Sequence, residues 1–106
     1  MKYGGGITVR KLAAEYMLSS DEVFPYRNCK VRVWHDVSDG LYYSFGNIMI
    51  RDTDSSPDSI CGIGKSEADS LDDFIANFLE LTAQYEKKFE RRLGEQDYVY
   101  SDPQDF

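Results

Sequence analysis

The sequence predicts an α+β domain with a short N-terminal helix, a three-stranded antiparallel sheet, a long amphipathic C-terminal helix and an acidic tail. Three observations predict it. Cys29, Val31 and Val33 alternate with Lys30, Arg32 and Trp34, the period of a strand with one buried face. Asp39-Gly40 follows, and both residue types tolerate the positive φ of a tight hairpin. From Leu71 to Phe89 the apolar residues recur instead at steps of three and four, the period of a helix laid across a sheet. At 106 residues and 42% apolar content the chain suits one domain with one modest core.

Taken in order, Gly4-Gly5-Gly6 reads as a flexible leader and Thr8 as the N-cap of a helix over residues 9–17. Val9, Leu12, Ala13, Tyr16 and Met17 would share one face of that helix, and Tyr16 and Met17 suit a core or a dimer interface alike. Ser19-Ser20-Asp21 marks a turn, and Pro25 stops any helix after it. The first strand covers residues 29–35. A second covers 41–51, with a bulge or bend at Gly46-Asn47. A polar loop over 52–58 leads to a third, over 59–63. Together they make an antiparallel meander.

Ser66 caps a helix over residues 67–93, with Asp69 at its third position completing a pair of the capping-box kind. Leu71, Phe74, Ile75, Phe78, Thr82, Tyr85 and Phe89 form its apolar stripe. Asp69, Asp73, Asn77, Glu80, Gln84, Lys87 and Arg91 form the opposite one, with acids first and bases last, as the helix dipole favours. Residues 1–94 read as the single domain. Residues 95–106 read as an acidic, aromatic tail open to flexibility.

Charge separates along the chain. Residues 1–35 carry a net of +3 and residues 36–106 a net of −10, for the total of −7. Such an acidic surface repels nucleic acid and anionic membrane and attracts basic protein grooves. No run of 18 apolar residues spans a bilayer, and the N-terminus lacks the apolar stretch of a signal peptide, so the expected place is the cytoplasm, with Cys29 and Cys61 reduced.

No catalytic motif, cofactor site or metal site emerges. Gly62-Ile63-Gly64-Lys65-Ser66 is similar to the end of a phosphate-binding loop, but Ser59 stands where that motif needs its first glycine and Asp58 precedes it. A glycine-flanked turn with a serine cap is the simpler reading. Asp52, Asp54, Ser56 and Asp58 alternate like the opening of a calcium loop, yet Pro57 and Ile63 occupy the positions that want glycine and glutamate. One histidine and two cysteines cannot fill a four-ligand zinc site without carboxylates. A Cys–His nucleophile would pair Cys29 or Cys61 with His35 in surroundings too acidic to lower a thiol pKa. Residues 9–23 resemble the opening of a helix-turn-helix, but a reading helix led by Asp21 and Glu22 would present acids to the bases.

Residues 41–93 carry a further likeness. The run Ser59-Ile60-Cys61-Gly62-Ile63-Gly64-Lys65-Ser66-Glu67-Ala68-Asp69-Ser70-Leu71-Asp72-Asp73-Phe74, a strand, a glycine-punctuated turn and an acidic helix, resembles the partial RNase H fold of HicB-type antitoxins. That resemblance implies neutralisation of a small ribonuclease toxin. In size and charge the chain is also similar to small acidic phage proteins that block defence nucleases, several anti-CRISPR proteins among them. That likeness implies a non-enzymatic inhibitor seated in a basic groove that otherwise holds nucleic acid.

The residues expected to contact such a partner are the helix acids Asp69, Asp72, Asp73 and Glu80, and Glu95, Asp97, Tyr98, Tyr100, Asp102 and Asp105 of the tail. Aromatic anchors among acids engage a groove of Arg and Lys through ring burial and electrostatic steering. Direct nucleic-acid binding and membrane binding are not expected.

Overall fold

The computed structural model describes residues 4–24, 28–52, 56–101 and 106. A 3-10 turn at Gly4–Gly6 leads into five strands and one helix: β1 (Arg10–Ser19), β2 (Asn28–Asp36), β3 (Tyr42–Ile50), β4 (Asp58–Gly64), α1 (Glu67–Phe89), a 3-10 turn at Glu95–Asp97, and β5 (Tyr98–Tyr100). The strands form one antiparallel sheet in the order β1-β2-β3-β4, with β5 on the stretch of β3 that β2 leaves uncovered. The α+β class and the central meander of β2, β3 and β4 stand as expected. The strand count and the N-terminal helix do not.

Residues 10–19 are a strand, not a helix. Its register against β2 slips between Leu12 and Ala14, so Ala13 is an extra residue in the ladder. Before the slip Leu12 lies opposite Trp34 on the open face of the sheet; after it Ala14, Tyr16 and Leu18 lie opposite Val33, Val31 and Cys29 on the helix side. The bulge thus breaks the alternation of a strand into steps that imitate a helical stripe. Leu12 and Met17 stay 45% and 57% exposed, because neither is on a helix packed against the sheet. A nine-residue helix is marginal in water, whereas pairing with β2 satisfies the backbone of the whole segment.

β2 follows its alternation: Cys29, Val31 and Val33 are fully buried. Its turn to β3 is built by Asp36, whose Oδ1 accepts the Ser38 amide at 2.8 Å and the Ser38 hydroxyl at 2.6 Å, while Gly40 adopts φ 74°. The expected irregularity at Gly46-Asn47 is where β3 changes neighbours. Asn47 Oδ1 accepts the Lys30 amide at 2.9 Å, and its backbone carbonyl accepts the Ser101 amide at 2.8 Å. One residue therefore holds the end of β2 and the end of β5 to the same strand.

α1 starts at the predicted Ser66 cap, whose hydroxyl accepts the Asp69 amide at 3.1 Å. It ends at Phe89 rather than at 93, because Glu90 takes the left-handed conformation, φ 57°, and turns the chain back toward the sheet. Phe74 and Phe78 drive into the core against Cys29, Val31, Ile48, Ile50 and Ile60. The approach is close: a Cβ on Gly62 would overlap the Phe74 amide nitrogen and the Ser70 carbonyl oxygen, and one on Gly46 would enter the Phe74 ring. The Ser44 and Ser70 hydroxyls, both fully buried, bond to each other between sheet and helix.

Residues 95–101 are not a loose tail. Tyr98, Val99 and Tyr100 pair with Ile50, Met49 and Ile48, and the rings of Tyr98 and Phe78 lie parallel at 6.4 Å. Three residues are too few to show a strand period in sequence, and their partner lies fifty residues earlier in the chain.

Candidate interaction surface

α1 has two flanks, and the acids divide between them. One flank lies along the outer edge of β4. There Asp73 Oδ2 accepts the Ile63 amide at 2.9 Å, and Asn77 Nδ2 donates to the Cys61 carbonyl at 2.9 Å. These side chains occupy hydrogen-bonding groups that an edge strand otherwise leaves open. Asp69 and Glu80 share this flank and remain exposed, and Gln84 Nε2 donates to Glu80 at 3.4 Å. The stripe that looks like an outward acidic face in sequence is therefore in part the cover of a sheet edge.

The other flank faces β1. Between the two elements runs an apolar groove of about 350 Å³, lined by Leu18, Phe24, Phe74, Ile75, Phe78 and Leu79 among others. It shares Val23, Phe24 and Leu79 with a larger cleft of about 750 Å³ whose wall carries Asp21, Glu22, Glu86 and Glu95 against the single base Arg92. Asp72, exposed, sits one helical turn before Ile75 on the same flank. Tyr16 spans the near end, its hydroxyl donating to Glu67 Oε2 at 3.3 Å.

The remaining expected contacts are placed unevenly. Glu95 is exposed. Asp97 is 6% exposed and accepts both arms of the Arg91 guanidinium, at 2.7 and 2.8 Å, together with the Gly94 amide at 2.7 Å. Arg91 holds the Asp97 carboxyl below the usual range despite its burial. An acid so engaged turns the chain at the end of α1 and presents little charge outward. Tyr98 and Tyr100 pack against the core, and the Tyr100 hydroxyl donates to the Asn28 carbonyl. Asp102 and Asp105 lie outside the described residues.

Arg10, Lys30 and Arg32 lie on the opposite, open face of the sheet. Glu15 Oε1 lies 3.5 Å from Lys30 Nζ and Glu15 Oε2 lies 3.3 Å from Arg32 Nε. Arg10 lies over the Tyr43 ring, and Arg32 over the ring of Phe106. Trp34, Tyr43 and Phe45 are half-buried on this face. Between Glu67 and Glu86 the helix holds six acids and no base.

The alternatives weighed in sequence take definite positions. Cys29 is buried, and burial pushes its thiol up to about 11, opposite to what a nucleophile needs. It lies six residues from His35 on one strand, about 20 Å. Cys61 is an exposed free thiol on β4, and His35 stacks on Tyr42 with ring centroids 4.5 Å apart. Asp52 and Asp58 both meet the Tyr85 hydroxyl, and Lys88 lies 3.1 Å from Asp52; Asp54 is outside the described residues. Among the described residues no three His, Cys, Asp or Glu side chains gather as a metal site. The glycine turn of the phosphate-loop likeness presses on α1, with the Ile63 amide taken by Asp73. No helix among the described residues is long and apolar enough to cross a membrane.

No protein-family model, curated protein or solved structure matches this chain.

Proposed function

We propose that this protein is a non-enzymatic acidic binding protein that inhibits a nucleic-acid-handling protein by occupying its basic groove, in the manner of phage anti-defence inhibitors. The observation that carries the reading is the run of acids on α1. Six helix acids with no intervening base stand between Glu67 and Glu86, while Lys30 and Arg32 are paired with Glu15 on the open face of the sheet and the bases of the helix gather at its C-terminal end, where Lys88 and Arg91 are paired with Asp52 and Asp97. An oriented field of this kind steers encounter with a basic surface better than a diffuse net charge does. The exposed acids Asp69, Asp72, Glu80 and Glu95 carry the contact, while Asp73 and Asp97 support the fold that presents them.

The test is displacement. The full chain is titrated against a panel of defence nucleases preloaded with fluorescent guide or target nucleic acid. Release that weakens with added salt, and weakens again in the Asp69→Asn, Asp72→Asn, Glu80→Gln triple variant, is the expected result. No release across the panel by a folded native chain overturns it.

A second reading is a HicB-like antitoxin, favoured by the strand, glycine turn and acidic helix from β3 to α1. It requires a small ribonuclease partner and binding to operator DNA. A chain that neither copurifies with a ribonuclease nor shifts operator DNA sinks this alternative.

A further inference from the structure

The two edges of the sheet are treated differently. The β4 edge is closed by Asp73 and Asn77. The β1 edge pairs with no strand among the described residues, and its protection is confined to its first half. Arg10 and Lys11 open the strand and the bulge at Ala13 follows, all devices that discourage edge pairing. From Ala14 to Ser19 the strand keeps a regular register with β2 and carries one charge, Glu15, which is neutralised on the open face by Lys30 and Arg32. This unguarded half, about 20 Å long, is the half beside the apolar groove.

We propose that Ala14–Ser19 and the groove form a docking site for an extended segment of a partner protein, added to β1 as a sixth strand. Backbone hydrogen bonds to the free edge supply the register, and alternate side chains of the segment enter the groove against Phe74, Ile75 and Leu79. The chemistry of the occupant follows from the rim. Asp72 on the helix flank, and Asp21, Glu22 and Glu86 against the single base Arg92 in the cleft that continues the groove, select a segment that is apolar at alternate positions and flanked by Lys or Arg. A second copy of this chain, at −7, is opposed by the same rim. The inference rests on the reading of this chain as a binding protein and does not require the partner to handle nucleic acid.

The probe is a phage-displayed library of random dodecapeptides selected on the full chain. Enriched peptides are expected to alternate apolar residues between basic flanks and to shift the amide resonances of residues 14–19. Leu79 is 48% exposed, so Leu79→Lys leaves the core intact while placing a positive charge in the groove. It should weaken those peptides at least tenfold, and Gln84→Lys, which adds the same charge at an exposed position on the other flank, should leave them bound more tightly than Leu79→Lys does. Peptides that bind Leu79→Lys as tightly as the native chain, or that leave residues 14–19 unmoved, overturn the inference. So does a selection with no enrichment over an unrelated acidic protein, or a free chain whose β1 edge is already protected by dimerisation. Nucleic-acid displacement through the exposed acids without such peptides overturns this inference alone; groove peptides without displacement overturn only the nucleic-acid reading.

Discussion

The Asp73 carboxylate accepts the backbone N–H of Ile63 at 2.9 Å, and one turn later Asn77 donates to the carbonyl of Cys61, so one side of α1 seals the β4 edge. Removing either bond leaves an edge group to water alone. Asp73→Ala and Asn77→Ala should each cost roughly 1 kcal/mol in urea denaturation. The Ile63 amide should exchange faster in Asp73→Ala and recover in Asp73→Asn, whose carbonyl can still accept. Unchanged exchange in the alanine variant would show that the contact does not guard the edge.

Glycines at the helix–sheet contact should differ by what surrounds them. At Gly62 an added methyl meets backbone of α1, which cannot step aside, whereas at Gly46 it meets the Phe74 ring and the Cys29 sulfur. Gly62→Ala should cost roughly 1–3 kcal/mol or more and exceed the cost of Gly46→Ala. The order of the two denaturation midpoints checks this; the reverse order contradicts it.

Among the described residues Glu90 is the one non-glycine residue in the left-handed region, and it lies at the end of α1. Glycine adopts that conformation without the Cβ conflict. Glu90→Gly should raise stability by about 0.5–1 kcal/mol, seen as a higher thermal midpoint, since the cap bonds to Glu86 are made by the backbone. A lower midpoint would mean that the Glu90 side chain matters more than its backbone.

Two carboxylates make the fold sensitive to acid. Asp97 is held below its usual range first by Arg91, and Asp36 first by the Ser38 hydroxyl, then by backbone amides and Arg10. A depressed folded pKa gives stability that is complete above the unfolded value, near 3.9, and is lost as pH falls through the folded value. The native chain should therefore lose stability below about pH 4, and Asp36→Asn and Asp97→Asn should each flatten that loss while lowering stability at neutral pH. An acid-unfolding curve unaltered in both variants would contradict the assignment.

Local signals in the sequence sufficed for β2, for the hairpin at Asp39-Gly40 and for the start of α1. Each is a period or a cap contained within a few residues, and a strand or helix face states its own orientation. The same logic failed where the deciding partner is distant. One bulged residue, Ala13, disguised β1 as a helix, and β5 is too short to show any period before β3 pairs with it.

The acids make the same division. Their number, and their concentration in residues 67–86, are properties of the sequence alone. Which of them face outward is not. Asp69 and Asp73 share a helical stripe, yet only Asp73 reaches the Ile63 amide, and Asp97 is turned inward by Arg91. Composition thus determined that the protein would be acidic and its helix amphipathic. Only tertiary packing decided which carboxylates hold the fold together, and that β1 would keep an open edge beside an apolar groove, because both depend on which backbone groups the helix reaches.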